Sequence, residues 1–266
     1  YVSEFCTHDV AMLLPQSELS LNLPIKETPI PSWDEDMNDW VNVVDYGAVP
    51  GSGDDTVAIQ AAIDSGKSTV YFPHSNSSYD VAGTVLIRGN VKRIMYFNRG
   101  TLASNPGPAF RLINSPASPA VVEVEMPNIN PNHETPTFDN ASDNRTLVIR
   151  FGRGVGGVIT GSGDVFYEDI TGGRKRNLKI AGGGSFWARH MNLESRWIDP
   201  NTGCETCGPY GKTHFLNDGS NAWVLGYKTE NGGSLVDTSN GGSTEIRGHF
   251  AYTGMMPFSY AKQPVY

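Results

Sequence analysis

Apolar residues recur along this chain in short bursts separated by Gly, Pro, Asn and Ser, and never in long stretches. The bursts Val41–Val44, Thr69–Phe72, Val85–Arg88, Arg93–Phe97, Phe110–Ile113, Val121–Glu125 and Leu147–Phe151 are rich in Val, Ile and Phe. Runs of four or five such residues bounded by turn formers predict short strands. One segment has a different period. Ile59, Ala62, Ile63 and Gly66 fall at i, i+3, i+4 and i+7 behind Asp54, Asp55 and Thr56. Acidic and hydroxyl residues favour a helix start and Gly favours its stop, so a helix is predicted there. The stretch from Pro127 to Pro136, dense in Pro and Asn, is predicted to project as a loop, because Pro cannot donate to a central ladder.

The second half repeats. Segments 161–173, 182–194, 219–230 and 241–249 align with Phe166 over Trp187, Trp223 and Glu245, at steps of 21, 36 and 22 residues. The long step holds an excess at residues 198–212, rich in Gly, Pro and Cys. A period near 21 with short strands and Gly-rich corners predicts a solenoid, a parallel β-helix whose coils stack about 4.8 Å apart. The fold class is therefore all-β, with the helix after Asp54 expected to cover the open end of the column, where bare strand edges would otherwise pair with another chain. In register, Trp187 and Trp223 are expected to point into the core, since each sits in an apolar run.

Residues 1–40 differ from the rest, with Pro15, Pro24, Pro29 and Pro31, few Gly and the acidic run Asp34, Glu35, Asp36. They read as an extended arm or linker, expected to dock on the flank of the column or on another domain or chain. The solenoid is expected over residues 41–260 and a tail over 261–266. The chain reads as a processed or excised part of something longer.

Composition sharpens this picture. The 266 residues carry 30 Gly, 38% apolar residues and a formal charge of −8. The apolar share suffices for a core, and no apolar run approaches the roughly 20 residues that span a bilayer. The negative charge argues against nucleic acid or an anionic membrane as a general partner. Arg174, Lys175, Arg176 and Lys179 cluster and read as a solvated corner. Of three cysteines, Cys204 and Cys207 are candidates for a disulfide within the insertion or for two free thiols; with His214 they make three zinc ligands of the four required. Sequons at Asn76, Asn140 and Asn144 are candidate glycosylation sites, although three are expected by chance in so Asn-rich a chain.

The stretch 41–73 (VNVVDYGAVPGSGDDTVAIQAAIDSGKSTVYFP) resembles the opening motif of the pectate-lyase-like superfamily of right-handed parallel β-helix proteins. The likeness lies in the Asp45-Tyr46-Gly47-Ala48 turn, the Asp54-Asp55-Thr56 helix start and the Thr69–Pro73 strand. The loop Pro50–Gly53 departs from the shorter family form. The resemblance extends, through Phe186–Glu194 and Asn217–Glu230, over about residues 41–253. It implies a right-handed coil and a secreted or surface protein that commonly binds or cleaves polysaccharide, with calcium as the cofactor if the chemistry is a lyase's and none otherwise. It implies no mechanism, because the Asn-Thr-Asp, Gly-His-Gly and Arg-Ile-Lys signatures of the polygalacturonases are absent.

Candidate chemistry follows from the repeat. Trp187 to Glu194 and Trp223 to Glu230 share one spacing, so in matched coils the two carboxylates stack near the roughly 5 Å separation of retaining glycosidases, where one pKa also rises. Glu194 and Glu230, with Asp218, are the catalytic candidates; the structural alternative is a like-charged pair relieved by Arg189 or Lys228. Trp197, Tyr210 and Tyr227 could stack on sugar rings beside the insertion, with Arg189 and Lys228 as substrate-binding cations. Asp218 sits in a tight-corner pattern, where a carboxylate usually accepts a backbone hydrogen bond. His190, His214 and His249 are weaker candidates, Arg189 with His190 being the adjacent pair a lyase would need. The expected activity is hydrolysis, lysis or binding of polysaccharide; the alternative is a non-catalytic structural or adhesive module of an extracellular assembly.

Overall fold

The computed structural model describes residues 20–97, 100–103, 107–115, 119–130, 137–172, 178–193, 213–230 and 235–252. Strand β1 (Trp40–Asn42) opens the largest sheet, helix α1 (Thr56–Ile63) follows, and β2 (Thr69–Phe72) pairs beside β1. The chain then passes through a second sheet at β3 (Tyr79–Val81) and a third at β4 (Val85–Ile87) before returning to the first at β5 (Arg93–Tyr96). The same circuit runs through β6 (Thr101–Ala103), β7 (Phe110–Leu112) and β8 (Val121–Glu125), then β9 (Ile129–Asn130), β10 (Phe138–Asn140) and β11 (Thr146–Arg150).

Beyond β11 the chain alternates between the third and first sheets: β12 (Gly157–Ile159), β13 (Val165–Thr171), β14 (Leu178–Ile180), β15 (Ser185–Asn192), β16 (Phe215–Asp218), β17 (Asn221–Glu230), β18 (Val236–Ser239) and β19 (Ser243–Tyr252). Among the described residues the sheets have nine, three and seven strands, and the paired strands are parallel. This all-β arrangement of parallel sheets visited in turn is consistent with a β-helix.

Register turns the sequence repeat into vertical rows. Phe166 pairs with Trp187, Trp187 with Trp223 and Trp223 with Glu245. One residue further along each strand, Tyr167, Ala188, Val224 and Ile246 form the next row, which faces the main core. Side chains alternate faces along a strand, so Trp187 and Trp223 point outward. They are buried, but in a separate cluster with Phe166 and Val148 on the outer surface of the sheet, which corrects the inward placement expected from their apolar runs.

Two devices turn the corners. Close approach requires Gly at 182, where a Cβ would lie 1.9 Å from the carbonyl oxygen of Gly161 in the coil before. Buried Asn140 and Asn217 occupy an interior position at the ends of β10 and β16. Asn217 Nδ2 donates to the Ser220 and Ser243 carbonyls at 2.9 and 3.1 Å, while its Oδ1 accepts from Ser220 N. Asn140 does the same with the Arg145 carbonyl and Ser142 N. Asn140 is thus fully enclosed and engaged, which corrects its reading as a glycan acceptor; Asn76 and Asn144 are exposed.

Other local expectations change as well. Val43 and Val44 belong to a 3-10 turn (Val43–Tyr46) and not to the first strand, because Asn42 accepts from Val44 N and Gly47 closes the turn in the left-handed region. Asp55 sits at the cap position of α1 but spends its carboxylate on Val49 N and Asp80 N, while Asp54 accepts from Thr56 N. Inside the expected loop 127–136, Ile129–Asn130 pairs with β6, at the edge of the small sheet, the one place where such a composition is tolerated.

Candidate functional site

The outer face of the nine-stranded sheet carries two rows of side chains. One runs Arg93, Glu123, Val148, Phe166, Trp187, Trp223, Glu245; the other, two residues on, runs Glu125, Arg150, Glu168, Arg189, Leu225, Arg247. Phe166 and Trp187 stack at 4.8 Å. The second row alternates in sign from Glu125 to Arg189, and Arg150 Nε lies 3.0 Å from Glu168. Its neighbour buries a pair outright: Arg93 and Glu123, each at most 1% exposed, meet at 2.6 Å.

Residues 20–36 lie across these rows, running from the last described strand back to the first. Glu245 accepts from Ser20 Oγ at 2.7 Å and from Leu23 N at 3.2 Å. Leu23 packs on the aromatic row, and the Trp187 indole N–H donates to the Pro24 carbonyl at 2.8 Å. Lys26 sits over the Trp187 ring and pairs with Asp164 at 2.8 Å. Further along, Thr28 donates to Glu168, Arg93 donates to the Pro31 carbonyl at 2.8 Å, and the Arg93 guanidinium lies 3.9 Å from the Trp33 ring centre. Asp34 closes the seam against Lys92 at 2.6 Å and against Ser68.

Burial pushes the Glu123 carboxyl up, against the pull of Arg93 and Arg150. The arm's anchors go the other way. The Lys92 and Ser68 bonds hold Asp34 below its ordinary value; at Glu245 burial pushes upward, but Ser20, Leu23 N and Arg247 outweigh it and the pKa falls.

The predicted site residues fall into this frame as follows. Arg189, expected to bind substrate, donates to the Lys26 carbonyl at 2.8 Å and to Thr28 at 3.3 Å, and packs over Trp223; it holds the arm. Tyr227, expected to stack on sugar, is buried in the core with its hydroxyl toward the Leu235 carbonyl at 3.3 Å, and burial pushes its phenol up. Both expectations are corrected by these contacts. Asp218 accepts from Asn240 Nδ2 at 2.5 Å and pairs with Lys179 at 3.1 Å, two side-chain partners that hold its pKa down in place of the backbone bond expected at a tight corner. Lys228 pairs with Glu230 two residues along the same strand.

Strands β15 and β17 stay in register as far as Asn192 and Lys228; Glu194, Trp197, Cys204, Cys207 and Tyr210 lie outside the described residues, as do Arg174, Lys175 and Arg176. His190 is exposed at a corner, 3.1 Å from Asp169, and His214 is buried 3.2 Å from Thr229 Oγ1. Among the described residues no three His, Cys, Asp or Glu side chains converge as metal ligands, and no helix is long and apolar enough to cross a membrane.

Residues 20–36 dock on the flank of the strands, one of the places expected for the arm; what sequence reasoning missed is the seam that holds them there. Its signal was available in the second row: once the register is set, Glu125, Arg150, Glu168 and Arg189 alternate in sign on the side of the sheet away from the core.

No family model matches the chain, and no curated protein does. Among solved structures, the ORF18 protein of Geobacillus virus E2 is similar over 80% of this chain, at 20% identity and a TM-score of 0.47. The chain spans 41% of that protein's length.

Proposed function

We propose that this chain is a non-catalytic structural or adhesive module of an extracellular assembly. In this reading it is a right-handed parallel β-helix, capped at its start by α1 and closed along its outer aromatic row by its own arm. The observation that carries the reading is Arg189: this sheet cation, packed over Trp223, spends its donors on the Lys26 carbonyl and Thr28. Asp218 is likewise committed to Lys179 and Asn240, which keep it ionised and unsuited to giving up a proton as a general acid. The handedness and the extracellular setting rest on the resemblance of residues 41–73 to the pectate-lyase-like superfamily.

Binding or cleavage of polysaccharide is the second reading, favoured by the half-buried Lys228–Glu230 pair at the end of β17, the second strand after the 198–212 insertion. One assay separates the two. The full chain, incubated with a panel of neutral and acidic polysaccharides, is expected to release no reducing ends and no unsaturated uronates. Release that disappears in Glu230→Gln would replace the structural reading with the enzymatic one.

A further inference from the structure

Residues 20–36 are held as a ligand is held. None of them is buried, they belong to no strand, and the main core contains no residue before Val41. That core is therefore complete without them. Their carbonyls take donors from the sheet, Pro24 from Trp187, Lys26 from Arg189 and Pro31 from Arg93, while the Lys26, Thr28 and Asp34 side chains pair with Asp164, Glu168 and Lys92. Main-chain bonds that give affinity, with side-chain contacts that fix register, are how a folded surface receives an extended peptide. Pro24, Pro29 and Pro31 reduce the freedom that such a segment loses on docking.

The turn that joins this segment to β1 is short and acidic. Asp34 and Asp39 both return to Ser68, which donates its hydroxyl to the Asp34 carboxylate and its N–H to the Asp39 carbonyl at 3.1 Å. Between them Met37–Asp39 form a 3-10 turn capped by Asp36. Residues 34–39 thus hold four carboxylates, those of Asp34, Glu35, Asp36 and Asp39, and the last three are exposed. Like charges held so close favour an extended chain. A short hinge under such a load is where an identical element passes from one copy to another.

Reach permits the exchange. Opened out, the stretch from Asp34 to Trp40 spans about 20 Å at about 3.3 Å per residue, enough to carry the segment from its own column to the same row of a second copy whose first strands lie beside it. Every partner the segment has in its own chain is present in that copy, so the bonds are the same and the contact is reciprocal. A tethered segment has an effective concentration on the order of mM, and single chains therefore keep their own arms in dilute solution.

We propose that the outer aromatic row is a docking site for an extended, proline-bearing peptide, and that its second occupant is the arm, residues 20–36, of another copy of this chain. Exchanged arms then join two columns, with Trp187, Arg189 and Arg93 of each holding the Pro24, Lys26 and Pro31 carbonyls of the other. This deepens the reading of the chain as a structural module, on which it rests; the polysaccharide assay decides that reading separately, so either can fail alone.

Two weakened full chains test this. Lys26→Glu/Asp34→Asn spoils the arm, outside the core, and leaves the row intact; Arg189→Met/Lys92→Met spoils the row and leaves the arm intact. The first chain alone is isotopically labelled, and exchange of its Trp187 indole N–H is followed as the second is added, with the mass read by sedimentation. By itself the labelled chain should be a monomer whose indole exchanges as fast as free tryptophan while its β15 amides stay slow. An excess of the second chain should slow the indole by about fivefold or more, as one recovered hydrogen bond requires, and give a species of twice the mass; an excess of the first chain, unlabelled, should do neither. An indole that stays protected in the labelled chain alone overturns the proposal, since the arm's bonds are then not what covers the row. An unchanged rate on mixing overturns it too, and so does a dimer that leaves the indole fast, because it joins the copies elsewhere.

Discussion

Arg145 shows how a single residue can fasten several neighbouring strands and turns. It is 2% exposed, and its guanidinium donates to backbone carbonyls of Pro119, Ile87, Ile113 and Val91, at 3.0 to 3.4 Å. Those carbonyls lie in or just after β4 and β7 and in the turn before β8, so one side chain serves carbonyls of successive corners, that of Ile87 also accepting from Ile113 N at 3.3 Å. Burial lowers its pKa to about 10, which leaves it charged at neutral pH. Replacing it with Met removes every donor at once. Because each buried carbonyl left without a partner costs about 1–3 kcal/mol, Arg145→Met should cost roughly 3 kcal/mol or more in urea unfolding, and Arg145→Lys less. Nothing in the residue pattern announces this: Arg145 lies within a sequon, between a turn and a strand, and only the corner geometry turns its donors inward.

At the scale of elements, the long strands bend at one repeated place. Met126, Phe151, Asp169, His190, Gly226 and Gly248 follow one another up the column, each with φ between 52° and 75°. Each comes directly after the Glu125, Arg150, Glu168, Arg189, Leu225, Arg247 row. Four side chains tolerate the left-handed conformation there, at a cost of about 1–2 kcal/mol each, and two coils use Gly. At 226 a Cβ would also come within 3.1 Å of the His190 ring. Gly226→Val therefore combines a branched side chain in the left-handed region with a close contact, and thermal unfolding should show a loss of about 2 kcal/mol.

Strands of four or five apolar residues were legible in the sequence, to within a residue or two at Thr69–Phe72, Val121–Glu125 and Thr146–Arg150. Of the three-residue strands, Val85–Ile87 and Phe110–Leu112 were legible as apolar bursts, while Gly157–Ile159 and Tyr79–Val81 were not. They are too short to display a period, and stacking on the neighbouring coil, which is not written locally, makes them strands.

Across the whole molecule, the repeat made the vertical rows legible and composition set residues 1–40 apart as an arm expected to dock, but the row it covers and the bonds that hold it were not legible. The reason is physical: three of the seam's bonds end on arm main-chain carbonyls, those of Pro24, Lys26 and Pro31, which any sequence supplies. The candidate site suffered for the same cause. Trp187, Trp223 and Arg189 have the composition of a ligand-binding face, and what occupies that face is the chain itself.

The seam also has a defined pH dependence. Asp34 and Glu245 have folded pKa values below 3.8 and 4.5, so their contribution is complete above those values and is lost as pH falls through the depressed ones. Glu123 opposes them: its pKa is raised, and protonation on acidification relieves a buried charge. The anchors at both ends of the arm should therefore weaken below about pH 4, whereas Glu123 takes up its proton before them and its contribution to stability grows as pH falls.

Exchange of the Trp187 indole N–H, followed by NMR against free tryptophan, tests the seam most directly. In the full chain at pH 7 it should be protected by about tenfold or more, the worth of one hydrogen bond to the Pro24 carbonyl together with the cover around it. The protection should fall below pH 4, and at pH 7 in Asp34→Asn/Glu245→Gln, while the β15 amides stay slow. An indole that exchanges as freely as free tryptophan at pH 7 would contradict the account, because the aromatic row would then be open and residues 20–36 would not be lying on it.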